Sequence, residues 1–440
     1  MPSDIFGHKN NAGLKFVFRA LSNRNYRLFF GGQSISLIGT WMQQIAISWL
    51  TFRLTHSAFL LGVVGFASRI PTFMLASVAG VLADRWNRHR MLVVSQILSL
   101  VQALILAVLV LSNTVAVWHI ICLSILLGLV NAFDVPARQT FVLDMLESKE
   151  DLGNAIALNS SMVNGARLVG PSLAGALIAI TGEGICFLLN ALSFIPVILS
   201  LLFMKIPVRE QKSKEVPLWR GLTDGFSYAF GFLPIRSVLL LLALVSLMGM
   251  PYMVLMPIFA SKILHGGPQT LGFLFGASGV GALTGAIFLA SRKSVLGLGR
   301  IIAFGSGLFG AGLIAFSISR VIWLSLLMMV LTGFGMMVNM TSCNTILQTV
   351  SDEDKRGRVM SFYTMAFMGM VPFGSLLAGG LASTIGAPET VLVGGILCII
   401  GSVLFARRLP NIRKLIRPIY VKKGIILEES LSASDLSNPL

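Results

Sequence analysis

The sequence predicts an all-α integral membrane protein with twelve transmembrane helices in two pseudo-symmetric six-helix halves. Three observations predict it. Of 440 residues, 55% are hydrophobic and 12% charged, where a soluble domain is about a quarter charged. With a mean hydropathy of +0.83, a bilayer is the expected solvent. The apolar residues fall in runs of membrane-spanning length, and glycines recur between the halves at one fixed spacing.

A helix crosses hydrocarbon with about 20 residues. Runs of that order occupy 27–51, 58–82, 91–112, 115–134, 154–181, 184–204, 235–262, 269–291, 300–319, 321–346, 358–384 and 388–406. The first carries Gln33, Ser36, Thr40, Gln43 and Gln44 at steps of three and four. Polar groups facing lipid are costly, so this stripe should face protein or water. The second and fifth spans carry Arg69 and Arg167 about midway, and no Asp or Glu lies at similar depth. Backbone carbonyls or Asn159, Asn164 and Asn190 could satisfy these arginines. The alternative is an anionic or oxygen-rich substrate, because Arg favours carboxylates, phenolates and phosphates. In the fifth span Gly170 and Pro171 weaken local hydrogen bonding and permit a bend; tight packing explains Ala174 and Gly175 as well. The seventh span sets Met250, Tyr252, Met253 and Met256 beside Pro251 and Pro257, a soft wall suited to ligands of variable shape. The tenth repeats the polar steps with Thr332, Gly335, Asn339 and Ser342. Helix–helix hydrogen bonding accounts for these polar positions equally well. Cys122, Cys186, Cys343 and Cys398 each lie in an apolar run and read as small buried hydrophobes, with no metal or redox spacing.

Lys and Arg set the orientation. Of 34, 29 fall on the side of the termini and the long connection 205–234. Arg53, Lys262 and Arg320 fall on the other side, and Arg69 and Arg167 within spans. Both termini and the connection are therefore expected in the cytoplasm of a cell inner-membrane protein. The same split explains the net charge of +16 without a nucleic-acid partner, since the basic residues mark span ends. The first 18 residues are polar and basic, so no signal peptide is expected. The organisation reads as a cytoplasmic segment (1–26), an N-terminal bundle (27–204), a linker (205–234), a C-terminal bundle (235–406) and a tail (407–440) read as disordered. Trp219, Leu222, Phe226, Phe230 and Leu233 recur at helical spacing in the linker. They predict an amphipathic helix on the inner membrane face; an ordinary loop with scattered aromatics is the other reading.

Shifted by 204 residues, Gly153 falls on Gly357, Gly165 on Gly369, Gly170 on Gly374 and Gly175 on Gly379. Glycines in membrane helices permit close backbone approach. The fifth and eleventh spans therefore read as equivalent helices in related halves, an arrangement that suits alternating-access carriers.

The stretch GVLADRWNRHRM (80–91) puts an Asp, three Arg and a His between two apolar runs. Positive-inside anchoring explains Arg85, Arg88 and Arg90 but not Asp84. A carboxylate at a span end can face the positive end of a helix, and Arg88, one turn on, can reach Asp134. This stretch resembles the signature loop after the second span of the major facilitator superfamily. With QSISLIGTWMQQIAISWLTFRLT (33–55), NAFDVPARQTF (131–141) and NAIALNSSMVNGARLVGPSLAG (154–175), the chain is similar to the branch holding the enterobactin exporter and the macrolide efflux proteins. The resemblance runs to about residue 406.

It implies a cytoplasmic gate of Gly80, Asp84, Arg85, Arg88 and Asp134, a charged latch built mainly by the first half, since Ser291 stands where a second Asp84 would fall. It implies a cavity faced by the first, fourth, seventh and tenth spans. The candidate cavity residues are Gln33, Ser36, Thr40, Gln43, Gln44, Asn131, Met250, Tyr252 and Asn339, with Arg69 and Arg167. GARLVGPSLAG (165–175) resembles the exporters' Gly-Pro signature through Gly165, Gly170, Pro171 and Gly175. Its Gly165–Gly170 spacing is one residue longer than the usual form, and Ser375 replaces Pro171 in the second half. The implied activity is export of a small amphipathic molecule, siderophore-like or drug-like, by proton-coupled antiport, carried out by a monomer. An importer or facilitator of a nutrient or lipid on the same fold is the alternative. The fourth span lacks the intramembrane Arg of many proton antiporters; His119 and Asp134 are the candidate proton carriers. No Ser-His-Asp spacing, phosphate loop or His-Glu metal cluster is present, so no enzyme activity, metal or cofactor is expected.

Overall fold

The computed structural model describes residues 18–75, 86–204, 227–292 and 294–426, and all regular structure among them is helical. In chain order the long helices are α1 (Arg24–Thr55), α2 (Ala58–Leu75), α3 (Arg88–Leu111), α4 (Val117–Met145), α5 (Leu152–Thr181) and α6 (Glu183–Phe203). They continue as α7 (Leu233–Ile263), α8 (Pro268–Ala290), α9 (Leu298–Ile318), α10 (Ile322–Val350), α11 (Arg356–Thr384) and α12 (Ala387–Lys422). Among the described residues, eleven helices are long and apolar enough to cross a membrane. The 32-residue α1 is not one of them, because its polar stripe dilutes its hydropathy.

The helix ends follow the apolar runs except at two places. α4 continues past 134 to Met145, because Ala137, Phe141, Val142 and Met145 are buried in a cluster with Ala20, Tyr26, Phe29 and Leu92. α12 continues past 406 to Lys422, with Leu409, Ile412, Ile416 and Tyr420 buried at steps of three and four. A span-length argument ends a helix where hydrocarbon ends; a buried apolar stripe carries it further. The expectation of disorder from 407 is therefore corrected for 407–422, while 427–440 lie outside the described residues. So does 205–226, the greater part of the expected linker helix. Cys186, Cys343 and Cys398 are buried as expected, but Cys122 is exposed on α4.

The chain divides into two compact units. Among the described residues, unit 1 comprises 18–54, 67–75 and 86–204, and unit 2 comprises 55–66, 227–292 and 294–426. In unit 1, α1 and α6 approach closely at Gly39, where a Cβ would lie 2.5 Å from Asn190 Oδ1 and 2.5 Å from Ser193 Oγ. Ahead of α1, Arg19 pairs with Asp151 and the Asn23 amide donates to the other Asp151 oxygen at 3.0 Å. These two contacts, Asn23 first, hold the Asp151 carboxyl below its ordinary range. In unit 2, the first part of α2 packs on α11: a Cβ at Gly62 would meet Ser375 O at 2.6 Å and Gly379 Cα at 2.9 Å.

Four helices depart from α geometry, and in α4 the departure is a closing 3-10 turn at Val142–Met145. α2 breaks at Ser68 and Arg69. Pro71 has no N–H for the Ala67 carbonyl, which favours a break there. α7 contains π-helical turns at Val245–Gly249 and Phe259–Ile263, and α11 contains one at Met365–Gly369. Single π turns inside α-helices are frequent at functional sites.

Candidate functional site

The break in α2 is held by α4. Thr72 Oγ1 donates to the Gly128 carbonyl at 2.9 Å. A Cβ at Gly128 would lie 2.7 Å from Ser68 O and 3.0 Å from the Pro71 ring, so only glycine admits the broken turn so closely. Arg69 sits on that turn, half-buried. On α5, the Arg167 guanidinium lies over the Trp41 ring of α1, 5.8 Å from its centroid, within cation–π range. One turn along, a Cβ at Gly170 would lie 2.6 Å from Trp41 Cβ and 3.0 Å from Ile38 O. Gly170 therefore lets α1 and α5 close up and seats the indole under Arg167. Pro171 and Gly175 are buried in α5, whereas a Cβ at Gly165 would meet nothing within 4 Å.

The polar stripe of α1 splits. Gln33, Ser36 and Gln43 are buried, Thr40 is half-buried and Gln44 is exposed. Gln43 belongs to a chain of amides inside unit 1. Asn190 Nδ2 donates to Gln43 Oε1 at 2.6 Å, Gln43 Nε2 to Gln102 Oε1 at 2.8 Å, and Gln102 Nε2 to the Leu123 carbonyl at 3.2 Å. This chain joins α6, α1, α3 and α4. The Asn190 amide nitrogen is thus committed to Gln43, and that of Asn164 to the Ser160 carbonyl at 2.9 Å.

At the other end of unit 1, Asp134 is buried in α4. Its Oδ1 accepts from Ser95 Oγ at 2.7 Å and from Gln96 Nε2 at 2.8 Å, and its Oδ2 lies 3.5 Å from Arg138 Nη2. The expected Arg88–Asp134 pair is not made. Arg88 Nη1 instead lies 3.5 Å from Asp144 Oδ2, because α4 runs on far enough to bring Asp144 to it. Asn131 is half-buried one turn before Asp134. Gly80, Asp84 and Arg85 lie outside the described residues. In unit 2, Tyr252 is buried with its hydroxyl 3.2 Å from Ser278 Oγ and its ring edge-on to Phe309. Asn339 donates to the Ile302 carbonyl at 3.4 Å, and Met250 is buried. Sequence reasoning missed Trp41, Ser95, Gln96, Gln102 and Asp144. Gln96 and Gln102, two amides inside an apolar run, were the available signal.

The family model described as transmembrane secretion effector, one of the major facilitator (MFS) families, matches residues 17–418. The chain belongs to the major facilitator superfamily. It is a multi-pass membrane transporter of small molecules and not an enzyme. The chain is 27% identical to the staphyloferrin A transporter of Staphylococcus aureus over 383 residues, covering 86% of this chain and 95% of that one. It is 24% identical to the multidrug efflux pump Tap of Mycolicibacterium fortuitum over 380 residues, covering 84% and 92%. Among solved structures, the POT family transporter PepTSo superposes with a TM-score of 0.69 at 13% identity, covering 89% and 99%. That likeness is one of fold.

Proposed function

We propose that this transporter is a secondary exporter of small amphipathic molecules, siderophore-like or drug-like, working by alternating access and driven by proton antiport. The observation that carries this reading is a repeated pattern of close helix contacts. Gly170 of α5 abuts Trp41 of α1, and Gly374 of α11 abuts Pro251 of α7, where a Cβ would lie 2.7 Å from the Pro ring. Gly39 of α1 abuts Asn190 of α6, and Gly249 of α7 abuts Cys398 of α12, with 2.9 Å from a Cβ to Sγ. The same three-helix contacts in both parts of the chain support two equivalent six-helix halves, with α1 as the first of twelve spans. Inverted or parallel repeats around a midplane site are the architecture of alternating access. The outward direction is supported by the likeness to an efflux pump.

On this reading 27–204 and 235–406 form the two bundles, joined by the 205–234 linker. Both termini lie on the cytoplasmic side of the inner membrane, and the protein works as a monomer. Gly80, Asp84 and Arg85 supply the cytoplasmic gate with Arg88 and Asp134. The test is uptake into everted vesicles energised to an acid interior, with a catecholate siderophore and a cationic macrolide offered in parallel. Protonophore-sensitive uptake of either supports proton-driven export. Uptake that ignores the protonophore removes the antiport step, and no uptake of either removes both substrate classes.

A further inference from the structure

One side of α12 is exposed along the whole helix. Val393, Ile396, Ile400 and Val403, with Leu404 beside them, are exposed at steps of three and four, which places them on a single face. The same steps lead on to Arg407 and Lys414, flanked by Arg408, and all three are exposed. The other side stays buried through Phe405, Leu409, Ile412 and Ile416. Packing fixes this arrangement. A Cβ at Gly299 of α9 would lie 2.8 Å from Leu409 Cδ2, and Lys423 Nζ donates to the Thr349 and Ser351 carbonyls at the end of α10. The exposed face therefore keeps its direction while its chemistry changes from apolar to cationic within three residues. At a rise of 1.5 Å per residue, Arg407 lies about 5 Å past Leu404, which is the depth of the headgroup layer on one side of a bilayer. Lys414 lies about 10 Å further on, about one Debye length at 0.1 M salt. No acid occurs between Glu389 and Glu428, and among the described residues no salt bridge takes Arg407, Arg408 or Lys414. Positive-inside bias accounts for cations near a span end, but not for their being held in line with the apolar face of the span.

We infer that Arg407 and Arg408, supported by Lys414, form a docking surface for the headgroups of anionic phospholipids in the leaflet at this end of α12. Phosphate oxygens match the guanidinium fork in pairs, and a basic cluster directly after a span concentrates anionic lipid. Adjacent cations favour a headgroup of net negative charge and repel the cationic part of a zwitterionic one. The acyl chains of such a lipid run along Val403, Ile400 and Ile396, on the same face of the helix. The inference takes from the reading above only that the end of α12 is cytoplasmic, which names the leaflet. It needs neither a particular substrate nor a direction of transport.

Phosphatidylglycerol and phosphatidylcholine are titrated into the purified full-length chain in a non-ionic detergent, with binding read by native mass spectrometry and stability by thermal unfolding. Phosphatidylglycerol is expected to bind more tightly and to raise the Tm, and phosphatidylcholine to do neither. Raising salt from about 0.1 to 1 M, which shortens the Debye length from about 10 to 3 Å, should remove the difference. The double variant Arg407→Gln/Arg408→Gln should weaken phosphatidylglycerol binding roughly thirtyfold, at about fivefold for each cation near the surface, and Lys414→Gln should weaken it less. These side chains are exposed, so the lipid-free Tm should match the wild type. Arg24→Gln/Arg27→Gln removes two exposed cations from the start of α1 and should leave binding unchanged. Equal binding of the two lipids by the wild type overturns the inference, and that measurement needs no variant to fold. Equal weakening by the two double variants overturns it as well, because net charge alone would then be responsible. The segment 427–440 carries Glu428, Glu429 and Asp435. Phosphatidylglycerol binding that emerges only when this segment is removed would make the acidic segment the occupant of the face, and would also overturn the inference. Absence of energised uptake in everted vesicles removes the exporter reading and leaves the lipid contact standing. Loss of lipid selectivity with uptake intact has the reverse meaning.

Discussion

At the scale of single residues, Gln43 shows what a helical period can and cannot say. Its place among Gln33, Ser36 and Thr40 was legible as a polar stripe on an apolar helix, and that stripe had two readings, a cavity face or helix–helix hydrogen bonds. The period alone does not choose between them, because both require a polar side chain turned from lipid. The structure places Gln43 in a buried chain of amides with Asn190 and Gln102, partners that lie 147 and 59 residues away and so carry no local signal. Because each amide satisfies the next, removing one member leaves a buried group without its partner, at a cost of about 1–3 kcal/mol. Gln43→Leu is therefore expected to lower stability by that order in thermal or denaturant unfolding. The double variant Gln43→Leu/Asn190→Leu should lose less than the sum of the two single changes. Strict additivity would show that the chain does not act as a unit.

At the scale of helices, the apolar runs located nearly every element, and the discrepancies have a common cause. The ends of α4 and α12 are set by buried stripes beyond the hydrocarbon, and hydropathy measures transfer into lipid rather than packing in water. The α2 break follows from Pro71, which was in plain view, but its depth and its hold on Gly128 needed the neighbouring helix. The Gly-Pro stretch of α5 read as a single motif, yet its glycines differ. Gly170 touches Trp41 and the Ile38 carbonyl, while the Cβ position of Gly165 is open. Gly165→Ala should be neutral or should raise stability by up to about 1 kcal/mol through helix propensity. Gly170→Ala should lower it, by about 1–3 kcal/mol, because a backbone carbonyl 3.0 Å from the new Cβ forces the helices apart. Opposite signs in paired Tm measurements are the expected result. Equal shifts would mean that α1 and α5 yield freely at this contact.

At the scale of the whole chain, the 204-residue shift was the most informative feature of the sequence, because it links segments that no local pattern connects. It placed Gly170 opposite Gly374, and both abut the preceding partner helix of their own unit. The last segment had no such repeat to guide it. Residues 407–423 carry seven basic residues and no acid, a composition that reads as tail, and the apolar residues between them are few. Four of them lie on one side, Leu409, Ile412, Ile416 and Tyr420, and all four are buried, whereas Leu415 on the other side is exposed. The far end is fastened as well, with Lys423 Nζ donating to the Thr349 carbonyl at 2.6 Å and the Ser351 carbonyl at 3.1 Å, where a cation meets the negative end of α10. Burial of side chains of this size contributes about 1.5–3 kcal/mol each as an upper bound. A chain ending after Ala406 should therefore unfold at a distinctly lower temperature than one ending after Gly424, which keeps every one of these contacts and should match the full chain. If both truncated chains unfold with the full-length protein, the extension is bound too loosely to belong to unit 2. If only the shorter chain is destabilised, the last third of α12 is part of the folded unit, and its basic face is a fixed surface of the transporter.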